Sequence, residues 1–380
     1  MEHYELIATS TFGMEALVKQ EIKDLGYDII SVENGKVTFK GDNEAICRTN
    51  LWLRTADRVK IKVGEFKATS FEELFEKTKE LPWGEILPPN ATFPVEGKSV
   101  KSQLYSVPDC QAIVKKSVVE SLKQKYNKQW FDEDGPLYKI EIALLKDTAT
   151  LTIDTTGAGL HKRGYRALQS YAPLKETLAA GLILLARWWP DTALVDPFCG
   201  SGTIPIEAAM IGCKIPPGLK RDFTATSWPN ISNKTWEQAK EEGMEIAQFD
   251  KKLKIKGYDI DDNMVQLSKE NAKKVLGKNT LEFHTLSVED LTSKEEYGKI
   301  ICNPPYGERL GEEPEVDELY REMGKVFRKR LPSWSFYILT AHNNFEKLFG
   351  EEATKRRKLF NGRIKVDYYQ YFGPKPPKQR

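Results

Sequence analysis

Four consecutive residues, Asn303-Pro304-Pro305-Tyr306, close a short run of strand type, KIIC at residues 299–302. Two prolines fix the backbone there and bring no N–H groups. The side-chain carbonyl of Asn303 and the carbonyl of Pro304 can then both accept from one exocyclic NH2 of a nucleobase. Accepting both N–H bonds keeps the lone pair on nitrogen, where it can attack an electrophilic methyl carbon in line. The ring of Tyr306 can stack on the base and hold it flat. Such a base comes from an unpaired loop or is turned out of its helix. Rate gain in such a site comes from positioning and fixed dipoles rather than from a strong base.

A second stretch about a hundred residues upstream, LVDPFCGSGTIPIEAA at residues 194–209, supplies the other half. A strand ends at Asp196, Gly200 and Gly202 make a tight turn, and a helix begins near Thr203. Glycines let the backbone approach a ligand and take left-handed conformations, and a helix N-terminus offers free amides to an anionic group. No Gly-Lys-Ser/Thr follows, so this is not a phosphate-binding P-loop. The third glycine of the dinucleotide fingerprint is also missing. The following strand ends GYDIDDNM, and Asp259 stands where a carboxylate can accept from both hydroxyls of a ribose. A carboxylate end, a positive centre and a ribose are together the features of S-adenosyl-L-methionine. Candidate cofactor contacts are Asp196, Pro197, Gly200, Ser201, Gly202, Thr203, Asp259 and Ile260.

Other reactive residue types point elsewhere. Methylation at a pyrimidine ring carbon uses a cysteine nucleophile, and Cys302 precedes the loop. Its side chain should face away from that of Asn303, as a buried apolar residue. The five cysteines form no C-x-x-C pair, so neither a zinc site nor a disulfide framework is indicated, and a reducing cytoplasm is expected. His3, His161, His284 and His342 are isolated, and none has the company of a catalytic base.

The elements that must position these residues follow from patterning. With 380 residues, two or three domains are expected, and neither a membrane-spanning run nor a signal peptide is legible. Residues 4–64 read as βαββαβ, a ferredoxin-like plan with a hairpin at Asn34-Gly35. PDCQAIVKKSVVESLKQKY reads as a helix with Ile113, Val114, Ser117, Val118 and Leu122 inward, followed by two strands. From about Gly164 helices alternate with short apolar strands, beginning with a long apolar helix PLKETLAAGLILLARWW. That alternation implies a mainly parallel, doubly wound sheet with its ligand at the carboxyl ends of the strands. Residues 210–253, with TSWPNISNKTW, form an insertion between the first two strands, anchored by Trp228 and Trp236.

Net charge is only +2, but its distribution is uneven. Residues 355–380 hold nine Lys or Arg and one acid, Asp367. Residues 98–128 hold seven basic residues against Asp109 and Glu120, and HKRGYR at 161–166 is a third basic spot. Basic patches with aromatics suit a phosphate backbone and stacked bases, as well as ordinary solvated surface. The candidate RNA contacts are Lys101, Lys115, Lys116, Lys162, Arg163 and Arg166.

DPFCGSGT with NPPYGERL resembles the amino-methylating class I S-adenosyl-L-methionine-dependent methyltransferases. Along nearly its whole length the chain is similar to bacterial THUMP-domain RNA guanine methyltransferases, long labelled adenine-specific DNA methylases. SVKSQLYSVPDCQAIVKKSVVESL resembles the THUMP core helix and its entry. HKRGYR with APLKETLAAGL resembles the segment joining THUMP to the catalytic domain. The resemblance implies an N-terminal ferredoxin-like α+β region (1–65), a THUMP RNA-binding domain (66–163) and a Rossmann-like doubly wound methyltransferase domain (164–380). It implies that Asp196, Gly200 and Gly202 hold the methionine part, Asp259 the ribose, and Asn303, Pro304, Pro305 and Tyr306 the target base. The family often has an Asp beside the cofactor adenine. Here Ser287 stands at that place with Asp290 three residues on, so a backbone contact or Asp290 would serve.

The reading that follows is methyl transfer to a guanine exocyclic amine in large-subunit (23S) ribosomal RNA or its precursor particle, by a cytoplasmic monomer without a metal. The competing readings are an N6-adenine DNA methyltransferase, and an RNA-binding assembly protein with a vestigial catalytic domain.

Overall fold

The computed structural model describes residues 3–166, 174–277, 281–306 and 313–375. The chain divides into two compact units. The first comprises residues 1–10, 18–160 and 221–242, the second residues 11–17, 161–220 and 243–380.

The first unit is built on β1 (Tyr4–Ser10), α1 (Glu15–Asp24), β2 (Ile29–Glu33), β3 (Lys36–Gly41), α2 (Asn43–Trp52) and β4 (Ala56–Lys67). The β2-β3 turn falls at Asn34-Gly35 as expected, with Gly35 at φ 74° but Asn34 not at positive φ, unlike the usual Asn-Gly hairpin turn. The sheet order β2-β3-β1-β4, all antiparallel, is the ferredoxin-like plan. There follow α3 (Phe71–Lys79), α4 (Trp83–Ile86), β5 (Val95–Val100), α5 (Val107–Tyr126), β6 (Ile140–Leu145) and β7 (Thr148–Asp154). Helix α5 has Pro108 in its first turn, ends at Asn127 in the left-handed conformation, and buries Cys110, Val114, Ser117, Val118 and Leu122, with Ile113 only half-buried. Strand β4 is twelve residues long and pairs with β1 on one edge and β7 on the other. One seven-stranded sheet, β2-β3-β1-β4-β7-β6-β5, therefore runs through the whole unit. The expected boundary between residues 65 and 66 falls inside β4.

The second unit contains α6 (Glu176–Leu185), β8 (Ala193–Asp196), α7 (Thr203–Gly212), α8 (Asn233–Ile246), which begins in the first unit, β9 (Ile255–Asp259), α9 (Asp262–Leu276), β10 (Glu282–Thr285), β11 (Gly298–Cys302), α10 (Glu313–Arg330), β12 (Ser335–Thr340), α11 (Phe345–Phe349), β13 (Lys355–Asn361) and β14 (Ile364–Tyr371). Helix α6 is shorter than the apolar run suggests. Arg187 takes φ 50°, Trp188 N–H donates to Ile183 and Arg187 N–H to Leu184, a Schellman stop that folds Trp188 back into the core. The sheet order is β10-β9-β8-β11-β12-β14-β13. The first five are parallel and β14 is antiparallel to both neighbours. Helices and strands enclose one apolar layer on each face of this sheet. Parallel strands end together, so Asp196, Asp259, Thr285, Cys302 and Thr340 share one edge.

Residues 221–242 lie in the range expected for the catalytic domain but pack within the first unit. Trp228 stacks on Tyr138 with centroids 4.2 Å apart and donates its indole N–H to Leu137, while Trp236 stacks on Phe223. Both tryptophans are buried packing anchors. No helix among the described residues is long and apolar enough to cross a membrane.

Candidate active site

The loop from β8 to α7 is held by hydrogen bonds from three directions. Cys199 N–H donates to Tyr258, Gly202 N–H to Cys199, and Gly200 N–H to Asp259 Oδ2 at 2.8 Å. From α9, Ser268 Oγ donates to the Gly200 carbonyl at 2.6 Å, and Asn271 Nδ2 to that of Ser201 at 3.1 Å. Gly200 and Gly202 adopt φ 52° and 84°, where a side chain is strained. A Cβ on Gly202 would come within 3.1 Å of Ser268. One on Gly200 would meet nothing within 4 Å, so the backbone there borders open space.

Asp196 ends β8, nearly fully buried, and accepts from Phe198 N–H at 3.1 Å. Burial pushes its carboxyl well above the usual range, with the Phe198 amide opposing and the Asp259 charge reinforcing the rise. A carboxylate so placed is stabilised by a cationic or N–H donor partner. Asp259 Oδ1 accepts from Asp261 N–H and Oδ2 from Gly200 N–H, which leaves each oxygen a second lone pair for a hydroxyl. The next residue, Ile260, is 77% exposed, an apolar surface beside the carboxylate suited to a flat ring. Pro197, Ser201 and Thr203 are buried within the same turn. Ser287 Oγ caps the short turn Val288–Asp290 by accepting from Glu289 N–H, and Asp290 is exposed. These residues fit the cofactor: a buried acid and an approachable glycine turn at one end, and an acid with an exposed apolar neighbour at the other.

The base loop differs. Asn303 is only 8% exposed, yet its side-chain carbonyl finds no hydrogen-bond donor among the described residues. An orphaned buried acceptor costs on the order of 1–3 kcal/mol, and such cost concentrates where a ligand supplies the partner. Pro304 is buried, and Pro305 and Tyr306 are half-buried. The Pro305 carbonyl accepts from Tyr320 Oη of α10 at 2.8 Å. That hydroxyl is also 2.8 Å from Thr340 Oγ1 at the end of β12, and the Tyr320 ring is wedged edge-on against His342 and Phe345. The remainder of NPPYGERL, Gly307 to Leu310, lies outside the described residues. Cys302 is fully buried and its thiol is pushed well up by burial, the opposite of an activated nucleophile.

The expected RNA contacts divide. Arg163 is a correction: its guanidinium is 1% exposed and pairs with the fully buried Glu207 of α7, which also accepts from Tyr165 Oη. That charge is neutralised inside the unit and cannot reach a polyanion. Arg166 is likewise engaged, with Thr203 Oγ1, the Leu174 carbonyl and Glu176. HKRGYR thus braces the helix that starts at the glycine turn. Lys115 pairs with Glu133 over the Phe93 ring, whereas Lys101, Lys116 and Lys162 are exposed.

Sequence reasoning passed over Tyr320, Ser268, Asn271 and Glu207. Glu207 carried a signal, a lone acid in the apolar run TIPIEAAMIG. Ser268 and Asn271 carried a weaker one, polar residues three apart on the inner face of α9. Tyr320 carried none.

Three family models match in order along the chain: the RlmL ferredoxin-like domain over residues 5–60, the THUMP domain over 68–154 and the RMKL-like methyltransferase domain over 163–370. A Bacillus subtilis (strain 168) protein named "Putative RNA methyltransferase YpsC" is 54% identical across 100% of this chain and 99% of its own length. The crystal structure of a "predicted N6-adenine-specific DNA methylase" from Listeria monocytogenes str. 4b F2365 shares 53% identity over 98% of this chain and 97% of that one, with a TM-score of 0.94. That of SMU.472 complexed with SAH shares 46% identity over 99% and 100%, also at 0.94. The chain belongs to the RMKL-like methyltransferase family, carries the RlmL ferredoxin-like and THUMP domains before its catalytic domain, and uses S-adenosyl-L-methionine as its cofactor.

Proposed function

We propose that this protein methylates the exocyclic N2 amine of a guanine in RNA, with 23S ribosomal RNA or its precursor particle as substrate. The observation that carries amine chemistry is Asn303 Oδ1, a buried acceptor with no donor among the described residues, at the strand edge shared with Asp196 and Asp259. RNA as the substrate is supported by the THUMP domain and by the name of the Bacillus subtilis relative. Guanine rests on the likeness of NPPYGERL to guanine-modifying enzymes.

The cofactor supplies an electrophilic sulfonium methyl. Asp196 and the Gly200–Gly202 turn hold its amino-acid end, and Asp259 holds its ribose. Ile260 covers the adenine, with Asp290 or a backbone group at its edge. Asn303 Oδ1 and the Pro304 carbonyl accept the two N–H bonds of the target amine and keep its lone pair available, while Tyr306 stacks on the base. Tyr320 and Thr340 fix the Pro305 carbonyl and so the path of the loop. A buried, pre-aimed acceptor of this kind contributes through position rather than proton abstraction. The protein acts as a cytoplasmic monomer.

The test is methyl transfer from labelled cofactor to ribosomal RNA of a strain deleted for the gene, with unmodified DNA alongside and products resolved as nucleosides by mass spectrometry. N2-methylguanosine is expected. Methyladenine in DNA would replace this reading with the DNA one, and cofactor binding without transfer to naked RNA or precursor particles would leave an assembly role.

A further inference from the structure

We propose that the β13–β14 hairpin is a second RNA-docking surface, on the catalytic unit itself, that grips the phosphate backbone beside the target base; this rests on the RNA reading above. Its position follows from strand register. Thr340, the last residue of β12, faces Asp367, and Asp367 faces Lys358. Because β14 runs antiparallel to β12, residues 359–366 continue past the end of β12. They overhang the edge that carries Asp196, Asp259 and Asn303. Three strand spacings of about 4.8 Å put β13 on the order of 14 Å from β11. A nucleotide of extended strand covers about half that distance, so phosphates two or three residues from the target fall at the hairpin.

The tip has the chemistry of a single-strand contact. Lys358, Arg363 and Lys365 are exposed, and among the described residues none of them makes an ion pair. No acid lies between residues 359 and 366. Arg356, two residues before Lys358, is instead spent on Asp367 and Glu346. Period-two alternation puts Lys358 and Phe360 on one face, with Lys365 directly across from Phe360. Phe12, 54% exposed, meets Phe360 edge-on with centroids 6.1 Å apart. Three cations around an aromatic pair, Phe12 exposed and Phe360 half-buried, form a stacking platform with backbone clamps. The base of the hairpin is firm, because Leu359, Val366 and Tyr368 are buried in the core. Lysines on an edge strand also discourage sheet-to-sheet pairing, but that role needs neither an arginine in the turn nor an exposed phenylalanine.

The test compares wild type with the triple variant Lys358→Gln, Arg363→Gln, Lys365→Gln, and with a control triple Lys252→Gln, Lys273→Gln, Lys329→Gln at the opposite edge of the sheet. The substrate is ribosomal RNA from the deletion strain. For the hairpin triple, KM for RNA should rise about tenfold with kcat and SAH affinity unchanged. The log–log salt dependence of RNA binding should become shallower by about 2, since each lost phosphate contact removes about 0.7. The control should match wild type. Equal KM and salt slope for both triples, with wild type active on RNA, would overturn the hairpin assignment alone. Wild type inactive on every RNA but active on DNA would overturn the RNA reading beneath it. If the triple melts early, Arg363→Gln alone, in the turn, should still raise KM about twofold at unchanged melting temperature, and no rise would count against the proposal.

Discussion

The two loops at the catalytic edge are built in opposite ways. In the cofactor loop, Cys199, Gly200 and Gly202 donate inward and the carbonyls of Gly200 and Ser201 accept from α9. Arg163 and Arg166 brace the helix that follows through Glu207 and Thr203. In the base loop, among the described residues, one buried acceptor, Asn303 Oδ1, lacks a donor, and a single phenol ties the backbone down at Pro305. A loop whose polar atoms are paired internally is set before any ligand arrives. A loop that keeps an orphaned acceptor carries a cost that only its ligand relieves. The backbone of the cofactor turn is therefore preformed, whereas the base loop, like the buried Asp196 carboxyl beside that turn, is completed by its ligand.

The largest test of this contrast is Asn303→Ala. It should lower kcat about a thousandfold, ~4 kcal/mol by the precedent of a lost transition-state hydrogen bond, with cofactor affinity unchanged by calorimetry. The fold should be no less stable, since the orphaned group is gone. A parallel loss of cofactor affinity would merge the two loops into one unit.

Next in size is Arg163→Ala. It leaves Glu207 as an uncompensated buried charge and should cost about 3 kcal/mol of stability in chemical denaturation. The salt dependence of RNA binding should not move. A shallower salt slope at unchanged stability would restore Arg163 to the RNA surface.

Asp196→Asn separates function from stability. Cofactor affinity should fall by about 2 kcal/mol, or some thirtyfold, the scale of a hydrogen bond to a charged group. The ligand-free protein should be as stable as wild type or more so. The sign follows from the raised carboxyl: above about pH 4 the unfolded Asp is ionised, while the buried one resists ionisation. Wild type therefore loses stability as pH rises from there through the raised value, and the amide does not. Melting curves at pH 5 and pH 8 would show it, and a variant less stable at pH 8 would contradict it.

The smallest effect belongs to Tyr320→Phe. Loss of one hydroxyl frees the Pro305 carbonyl and Thr340, for about 1 kcal/mol. The expectation is a drop of about fivefold in kcat with unchanged KM for cofactor, and no shift in the pH profile. A change of pH profile would make the phenol a proton carrier rather than a positioning group.

The residue types and order of the site were legible without a structure. Asp196, the two glycines, Asp259 and Asn303 each end or follow a short apolar strand, and parallel strands bring their ends to one edge. Local patterning also gave βαββαβ and most of the inner face of α5, where Cys110 is buried and Ile113 only half so. What patterning could not give was the partner of each charge. HKRGYR reads as an accessible basic spot because a linear sequence does not say that Glu207, some forty residues on, will be buried beside it. The insertion reads as part of the catalytic domain because chain order does not reveal that Tyr138 waits for Trp228. The overhang of residues 359–366 exists only in the register between β12, β14 and β13.

By itself the sequence determined the local chemistry: left-handed turns where glycines stand, an acceptor held by prolines, carboxylates at strand ends. These depend on covalent geometry and on neighbours a few residues away. Only the tertiary structure decided which of those groups are paired, which are buried and which are left without a partner. Burial and pairing are properties of segments that meet in space, and they set both the cost of an ionised Asp196 and the readiness of Asn303 to accept.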